Sequence, residues 1–308
     1  MPILAEVGGL WADALDPIVR KWFEQGFSRR PSLLGTLFNV QSSARAYEEV
    51  SGIGAIGIDS WVNFENGDGV SEVDFDQGYK KTYTHQEFIV DLQIRRKFLD
   101  DNQFPQITNP TMRLGDSAAL RRETDGASVF NNAFTDTAPY AGADAVGLCS
   151  TAHPFSPQKT GTTQSNEGTR ALTKDNVAAT REDMMAFTDD TGNKVAVTPD
   201  TILVPPALED EGLEITKSLL DPTSANNKIN PQSGRFSIVT WHYLTDSNAW
   251  FMIDSALMKM SLDWFDRVPL SIRLRDGDDR TVAAYWRAYM RYSYGWSDWR
   301  WVFGNNPS

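Results

Sequence analysis

Cysteine is almost missing from this sequence. Cys149 is the single thiol, so no internal disulfide can staple the chain, which points to a reducing compartment or a fold that does without such bonds. No activating partner is evident beside it, and it reads as a small buried hydrophobe rather than a nucleophile. Histidine is scarce as well: His85, His153 and His242 lie far apart, and none falls in an HExxH or His-x-His pattern, which argues against a metal site. Basic charge is in deficit, with 29 Lys and Arg against 41 Asp and Glu and a net charge of -12. That balance disfavours whole-surface attraction to nucleic acid and leaves room only for a local basic patch. No apolar run approaches the ~20 residues that cross a bilayer, and Met1-Pro2-Ile3 does not open a basic-then-apolar leader, so the sequence predicts a soluble, unsecreted protein. Phosphate-cradling motifs of the GxxxxGK[ST] and GxGxxG kinds are also lacking, and Gly67-Asp68-Gly69 is too short to replace them.

What remains is a globular composition. A chain of 308 residues with 41% apolar content can bury a sizeable core in one large domain or two ordinary ones. Its organising stretch is Tyr79 to Phe134. Phe88, Val90, Leu92 and Ile94 alternate with Ile89, Asp91, Gln93 and Arg95, the pattern of a strand with one buried face. Thr84 with Glu87 imitates a capping box, but the alternation that follows makes it a decoy. Asn109-Pro110 predicts the start of a long helix, carried by Thr111, Leu114, Ala118, Arg122, Asp125, Val129 and Ala133. That mixed stripe implies a half-buried helix resting on a neighbour, although Gly115 and Gly126 each cost about 1 kcal/mol against alanine.

Upstream, Asp16-Pro17 predicts a short helix ending at Gly26, with Ile18, Val19, Trp22 and Phe23 as its stripe. Leu33, Leu34, Leu37 and Phe38 form a patch too small to build a core alone. Ile58 to Phe64 reads as a strand, Asn66-Gly67-Asp68-Gly69 as a tight turn, and Val70 to Phe75 as the return limb, carrying Glu72 and Asp74 with Asp76 just beyond. Such an isolated hairpin is marginal in water, so it is either covered by its own domain or docked on another subunit.

Downstream, 134 to 172 has long-loop composition. Thr173 predicts a helix cap for 175 to 188, Thr201 to Val204 a short buried strand, and Leu208 to Leu220 a helix interrupted at Gly212. Phe236 to Tyr243 and Ala249 to Ile253 read as a second hairpin. Val282, Ala284, Trp286, Ala288 and Met290 alternate with Tyr285, Arg287, Tyr289 and Arg291, and Trp296, Trp299, Trp301 and Phe303 follow, which predicts buried strands rather than a sugar-stacking platform. Ser150 and His153 invite a hydrolase reading, but no GxSxG elbow precedes them. The acidic groups Glu72, Asp74, Asp76 and Asp276, Asp278, Asp279 match no calcium loop and read as solvated faces. Lys80-Lys81 and Arg95-Arg96-Lys97 read as exposed, salt-bridged spots.

Five stretches, in this order, resemble one family. They are Gly78 to Glu87 running into Leu92 to Asp101; Leu148-Cys149-Ser150-Thr151-Ala152-His153-Pro154 with Asn166; Pro199 to Pro206 followed by a helix; and Asp298-Trp299-Arg300-Trp301-Val302-Phe303-Gly304. Together they resemble the major capsid proteins of tailed bacteriophages, in particular the Mu-like major head subunit branch of the HK-ninety-seven fold. The resemblance implies an α+β phage major-capsid fold with an N-terminal arm (1–47), an extended β-hairpin loop (48–83), a peripheral domain with a long spine helix (84–172), an axial domain (173–253), and C-terminal strands (254–308) completing the peripheral domain. It implies a non-enzymatic subunit of an icosahedral head, self-assembling into hexamers and pentamers around double-stranded DNA, with no cofactor and no membrane. Its partners would be other copies of itself, portal, scaffold and decoration proteins, and DNA held without sequence specificity. Its place would be the virion, after assembly in the host cytoplasm. Contacts between subunits are expected at Trp22, Phe23, Trp61, Phe64, Asp68, Val73, Phe75, Lys80, Lys81, Arg121 and Arg122. There is no long charged N-terminal scaffolding segment, which implies a separate or already removed scaffold, and nothing identifies a Lys-Asn pair for crosslinking. An encapsulin-like compartment shell is the alternative within this fold; a hydrolase and a carbohydrate-binding module are alternatives outside it.

Overall fold

The computed structural model describes residues 10–61, 72, 76–220, 228–275 and 282–307. The first helix, α1 (Leu10–Phe27), buries Ala12, Leu15, Val19 and Phe23. It begins before Asp16-Pro17, because Ala12 and Leu15 extend the apolar stripe toward the N-terminus. Asp16 is therefore no cap; it pairs with Arg20 at 2.6 Å and accepts from Trp286 Nε1 at 3.1 Å. After α2 (Leu34–Leu37) and β1 (Asn39–Ser42), β2 (Tyr47–Ile53) pairs antiparallel with β3 (Gln77–Thr84), from Tyr47 opposite Thr84 to Ile53 opposite Gln77. Ile58–Ser60 is a 3₁₀ turn and not the start of a strand. The tight turn and return limb expected at 66–75 lie outside the described residues, apart from exposed Glu72.

The predicted strand is present as β4 (Gln86–Arg95), but its inward face is uneven: Ile94 is buried, Phe88 and Leu92 are half-buried, and Val90 is 54% exposed. A groove of about 400 Å³ between the sheet and the following long helix leaves Val90 uncovered. A single turn, α3 (Lys97–Asp100), leads into α4 (Pro105–Asn131). The long helix starts at Pro105 rather than at Asn109-Pro110. Proline at a first helical position loses no hydrogen bond, and Ile107, 1% exposed, anchors that first turn in the core. Pro110 is then internal to the helix, next to Thr111, whose hydroxyl donates to the Ile107 carbonyl at 2.7 Å.

The expected long loop holds a small hairpin of β5 (His153–Ser156) and β6 (Lys159–Gln164), followed by β7 (Glu167–Gly168). Thr173 caps α5 (Lys174–Met185) by accepting from the Asn176 amide. Then come β8 (Thr201–Val204), α6 (Glu209–Lys217), β9 (Ser237–Thr240), β10 (Trp250–Ile253), α7 (Ser255–Ser261), β11 (Leu262–Arg275), β12 (Ala283–Trp296) and β13 (Val302–Asn305). β9 and β10 do not form the expected hairpin. β8 lies between them, parallel to β9 and antiparallel to β10, because its four residues are all buried and fill the sheet centre.

Beside the two-stranded β2–β3 and β5–β6 pairs, the described residues form two larger sheets, one ordered β1-β11-β12-β4 and the other β7-β13-β10-β8-β9. Neither sheet is a continuous block of sequence. β11 and β12 do join β4, but β13 and the early β7 close the other sheet. α4 ties the two together. Ile107 near its start packs with α1, Ile94, Ile272 and Trp286, whereas Ala127, Val129 and Phe130 near its end pack with Trp241, Phe251 and Trp301.

α1 crosses α4 almost backbone to backbone. A Cβ on Gly115 would stand 2.1 Å from the Phe23 carbonyl oxygen, and one on Gly26 would stand 2.0 Å from that of Met112. The helix cost of Gly115 is thus offset by a contact that no other residue permits. Gly115→Ala is expected to lower unfolding stability by about 1–3 kcal/mol through overpacking, despite alanine's better propensity; the denaturation midpoint reads this, and an unchanged or higher midpoint would contradict the crossing.

Candidate assembly surfaces

The polar groups that suggested chemistry are structural. His153 is fully buried; its Nδ1 lies 2.7 Å from Asp144 Oδ2, and its ring stacks on Trp299 at 4.4 Å. Ser150 does not reach it. The Ser150 hydroxyl accepts from the Ala152 amide instead, and among the described residues no hydrogen bond joins it to His153. Asn166 explains the neighbouring motif: fully buried, it donates to the carbonyls of Leu148 and Val302 and accepts from the Ser150 amide at 2.8 Å, binding the loop to β13. Cys149 is buried against Gly304, and burial pushes its thiol up. The C-terminal tryptophans are 0–4% exposed, so none offers a stacking platform. Among the described residues no group of three or more His, Cys, Asp or Glu could hold a metal.

The surface is different in character. The β2–β3 ladder and the residues after it expose Tyr47, Ile53, Ile56, Ile58 and Trp61, with Ile53 75% and Trp61 85% exposed. The ladder is tied to the body at several points along its length: Tyr83 near one end is buried against Phe265, and Gln158 donates to the Gln77 carbonyl at the other. Lys81 Nζ donates to the Ala141 carbonyl at 2.7 Å, and burial lowers that amine's pKa. The Ala55 amide donates to both carboxylate oxygens of Asp190, and Lys159 holds the Asp190 carbonyl. Lys80 pairs with Glu49 across the two strands.

The expected contact residues therefore divide. Trp61 and Lys80 face solvent and Trp22 is half-buried, whereas Lys81 is spent on fastening the ladder to Ala141. Phe23 is 3% exposed in the core under α1, which removes it from any surface. Arg122 makes two bonds to Asp266, at 2.9 and 3.0 Å, and lies over the rings of Trp264 and Tyr292 inside its own subunit. Arg121 bonds Asp125 at 3.0 Å and covers Phe88 with its guanidinium half exposed. Phe64, Asp68, Val73 and Phe75 lie outside the described residues. Sequence reading missed Ile53 and Ile58 as exposed apolar positions, and also buried Glu123, which accepts from Ser32 and from Trp241 Nε1. Asp125, placed by its spacing on the helix stripe, accepts from Tyr292 at 2.6 Å, and burial drives that phenol's pKa upward.

A family model described as phage capsid protein matches residues 78–305. The chain belongs to that family. Among solved structures it is similar to the mature capsid of bacteriophage PhiM1 (TM-score 0.59, 13% identity, covering 91% of this chain and 88% of that one). It is also similar to the capsid of bacteriophage JBD30 decorated with minor capsid protein trimers (0.54, 14%, 79% and 100%). A third likeness is to a virus-like particle from Pyrococcus furiosus (0.51, 12%, 94% and 98%). No curated protein matches the sequence. A phage capsid protein is a structural subunit of the virion shell that associates with its own copies, so neither the hydrolase nor the compartment-shell alternative is favoured.

Two expectations separate fold from surface. Arg122→Ala would take two bonds from half-buried Asp266, which keeps Trp264 Nε1, and should cost about 1–3 kcal/mol, whereas half-exposed Arg121→Ala, whose partner Asp125 keeps Tyr292, should cost under ~1 kcal/mol; chemical denaturation of both variants checks the contrast. Burial raises the Asp263 carboxyl to about 6 beside an Asn39 side chain that donates to it at 3.4 Å. The folded capsid protein thus holds this proton more tightly than the unfolded chain, and stability gains as pH falls from about 6 toward 3.8. Asp263→Asn should raise the melting temperature at pH 7.5 and shrink the gain seen on acidification to pH 5.

Proposed function

We propose that this capsid protein is the major head subunit of a tailed phage in the Mu-like branch, building an icosahedral shell of hexamers and pentamers around double-stranded DNA. The β2–β3 ladder carries this reading: fastened to its own subunit at Lys81 and Ala55, it and the residues after it still present Ile53, Ile58 and Trp61 to solvent. A row of apolar side chains left exposed on the subunit suits a surface completed by a neighbour. In this assignment 1–47 is the arm that ties adjacent capsomers, 48–83 the extended loop lying across a neighbour, α4 the spine of the peripheral domain, and 173–253 the axial domain at capsomer centres. The strands after residue 254 complete the peripheral domain, with β13 reaching into the axial sheet. Many weak contacts then sum over a closed shell.

The net charge of -12 supports packaging by confinement and counterions rather than by sequence-specific contacts. Scaffold and portal proteins would act during assembly in the host cytoplasm, and decoration proteins on the finished head. Negative-stain microscopy of the purified protein should show closed particles or capsomers, and Trp61→Ser should abolish them while leaving the melting curve unchanged. Persistent monomers under all conditions, or Trp61→Ser particles equal to wild type, would count against this assignment. Particles filled with an enzyme instead of DNA would favour a compartment shell.

A further inference from the structure

The four-stranded sheet ends on an open strand. β4 pairs with β12 over its whole length without a register shift, and it is the last strand of the order β1-β11-β12-β4. Among the described residues no backbone hydrogen bond joins β4 to any element but β12, so alternate amides and carbonyls along it point outward unpaired. Sheet edges are normally blunted by proline, lysine or a bulge. β4 contains no proline and no lysine, its ladder has no bulge, and Ile89 and Val90, on opposite faces, are 52% and 54% exposed. The opposite edge, β1, offers only four residues. The groove of about 400 Å³ beside α4 opens along this same edge, with Phe88, Val90, Leu114 and Ala118 in its wall.

The charges of β4 suit a partner running the other way. Glu87 near its start is 54% exposed and approaches Arg291 only to 3.7 Å. Arg95 at its end is exposed and has neither an ion pair nor a side-chain hydrogen bond among the described residues. Asp91 between them is already held by Arg287 and Arg275. A second β4 turned end for end brings each Arg95 toward the other's Glu87, whereas a parallel copy in register sets like charges side by side. We propose that β4 is a seam between two copies of the chain, pairing antiparallel with itself about a twofold axis at Val90 and joining two four-stranded sheets into one of eight. This rests on the capsid reading above and names one edge at which subunits meet. In this register Val90 faces its own copy and Phe88 faces the partner's Leu92, which closes the mouth of the groove with apolar side chains. On the other face Glu87 lies opposite the partner's Gln93, with the partner's Arg95 in diagonal reach. A strand from a different protein could bond the same edge, but the reciprocal order of Glu87 and Arg95 about an apolar centre is the self-complementarity that a twofold contact requires.

Single cysteines in the full-length protein test the seam, because Cys149 is buried. In Val90→Cys the facing thiols stand on Cα atoms about 4.5–5.5 Å apart, a separation that a disulfide spans. Mild oxidation of assembled particles should therefore carry at least half of the chains into a dimer on a non-reducing gel. Gln93→Cys, whose copy lies several residues away along the seam, should give less than a tenth of that. Val90→Lys sets two ammonium groups face to face and should lower the assembled fraction in sedimentation at least tenfold with an unchanged melting curve; if it fails to fold, the cysteine pair carries the test. Glu87→Lys and Arg95→Glu should each reduce assembly several-fold, and their combination should recover it. Val90→Cys particles that form no disulfide, equal cross-linking of Gln93→Cys, Val90→Lys particles equal to wild type, or no recovery in the double charge variant each overturn the seam and leave the capsid reading intact. A wild-type chain that never assembles overturns both.

Discussion

One helix is packed at its two ends into two different cores, and the subunit depends on that arrangement. The start of α4 is clamped between α1 and the four-stranded sheet, and its end lies against the aromatic residues of the five-stranded sheet. A helix held at both ends transmits position between the layers it joins, since packed interiors deform little. The glycine crossing with α1 keeps the first clamp shallow, and Phe130, in edge contact with Trp241, Phe251 and Trp301, fills the second.

Between the clamps the helix is stitched by charge. Glu123 accepts from Ser32 and Trp241, Asp125 from Arg121 and Tyr292, while Arg122 grips Asp266 on β11. Each buried carboxylate has a donor, as burial of charge requires. These bonds join the chain before α2, the long helix and both sheets into one polar seam. Such directional contacts fix the rotation of α4 about its axis, which apolar packing alone would leave looser.

Much of this was legible in the sequence where local periodicity and burial agree. β4, the N-cap at Thr173, the strand at Thr201 and the aromatic C-terminal strands follow from alternation and capping chemistry. What escaped was decided at long range. Asn109-Pro110 carried the better local signal for a helix start, but Ile107 had a core to enter. The two strands around 245–248 looked like a hairpin because nothing local reveals that β8 inserts between them. Gly115 looked like a weakness until Phe23 lay against it. For the assembly surface, the alternation of β4 was visible, but nothing local shows that it ends its sheet. Phe23 was misjudged because an aromatic residue in a helix does not announce which side it faces.

The fastening of the β2–β3 ladder has a mechanical consequence. β3 is eight residues long, and at ~3.3 Å per residue it spans about 26 Å. Near one end Tyr83 is buried against Phe265; at the other the Ala55 amide bonds Asp190 and Gln158 donates to the Gln77 carbonyl; between them Lys81 is fastened to Ala141. A beam supported at both ends and in its span bends little. The exposed Ile53 is therefore carried at a set height above the body, and a neighbouring subunit meets a ledge rather than a swinging arm.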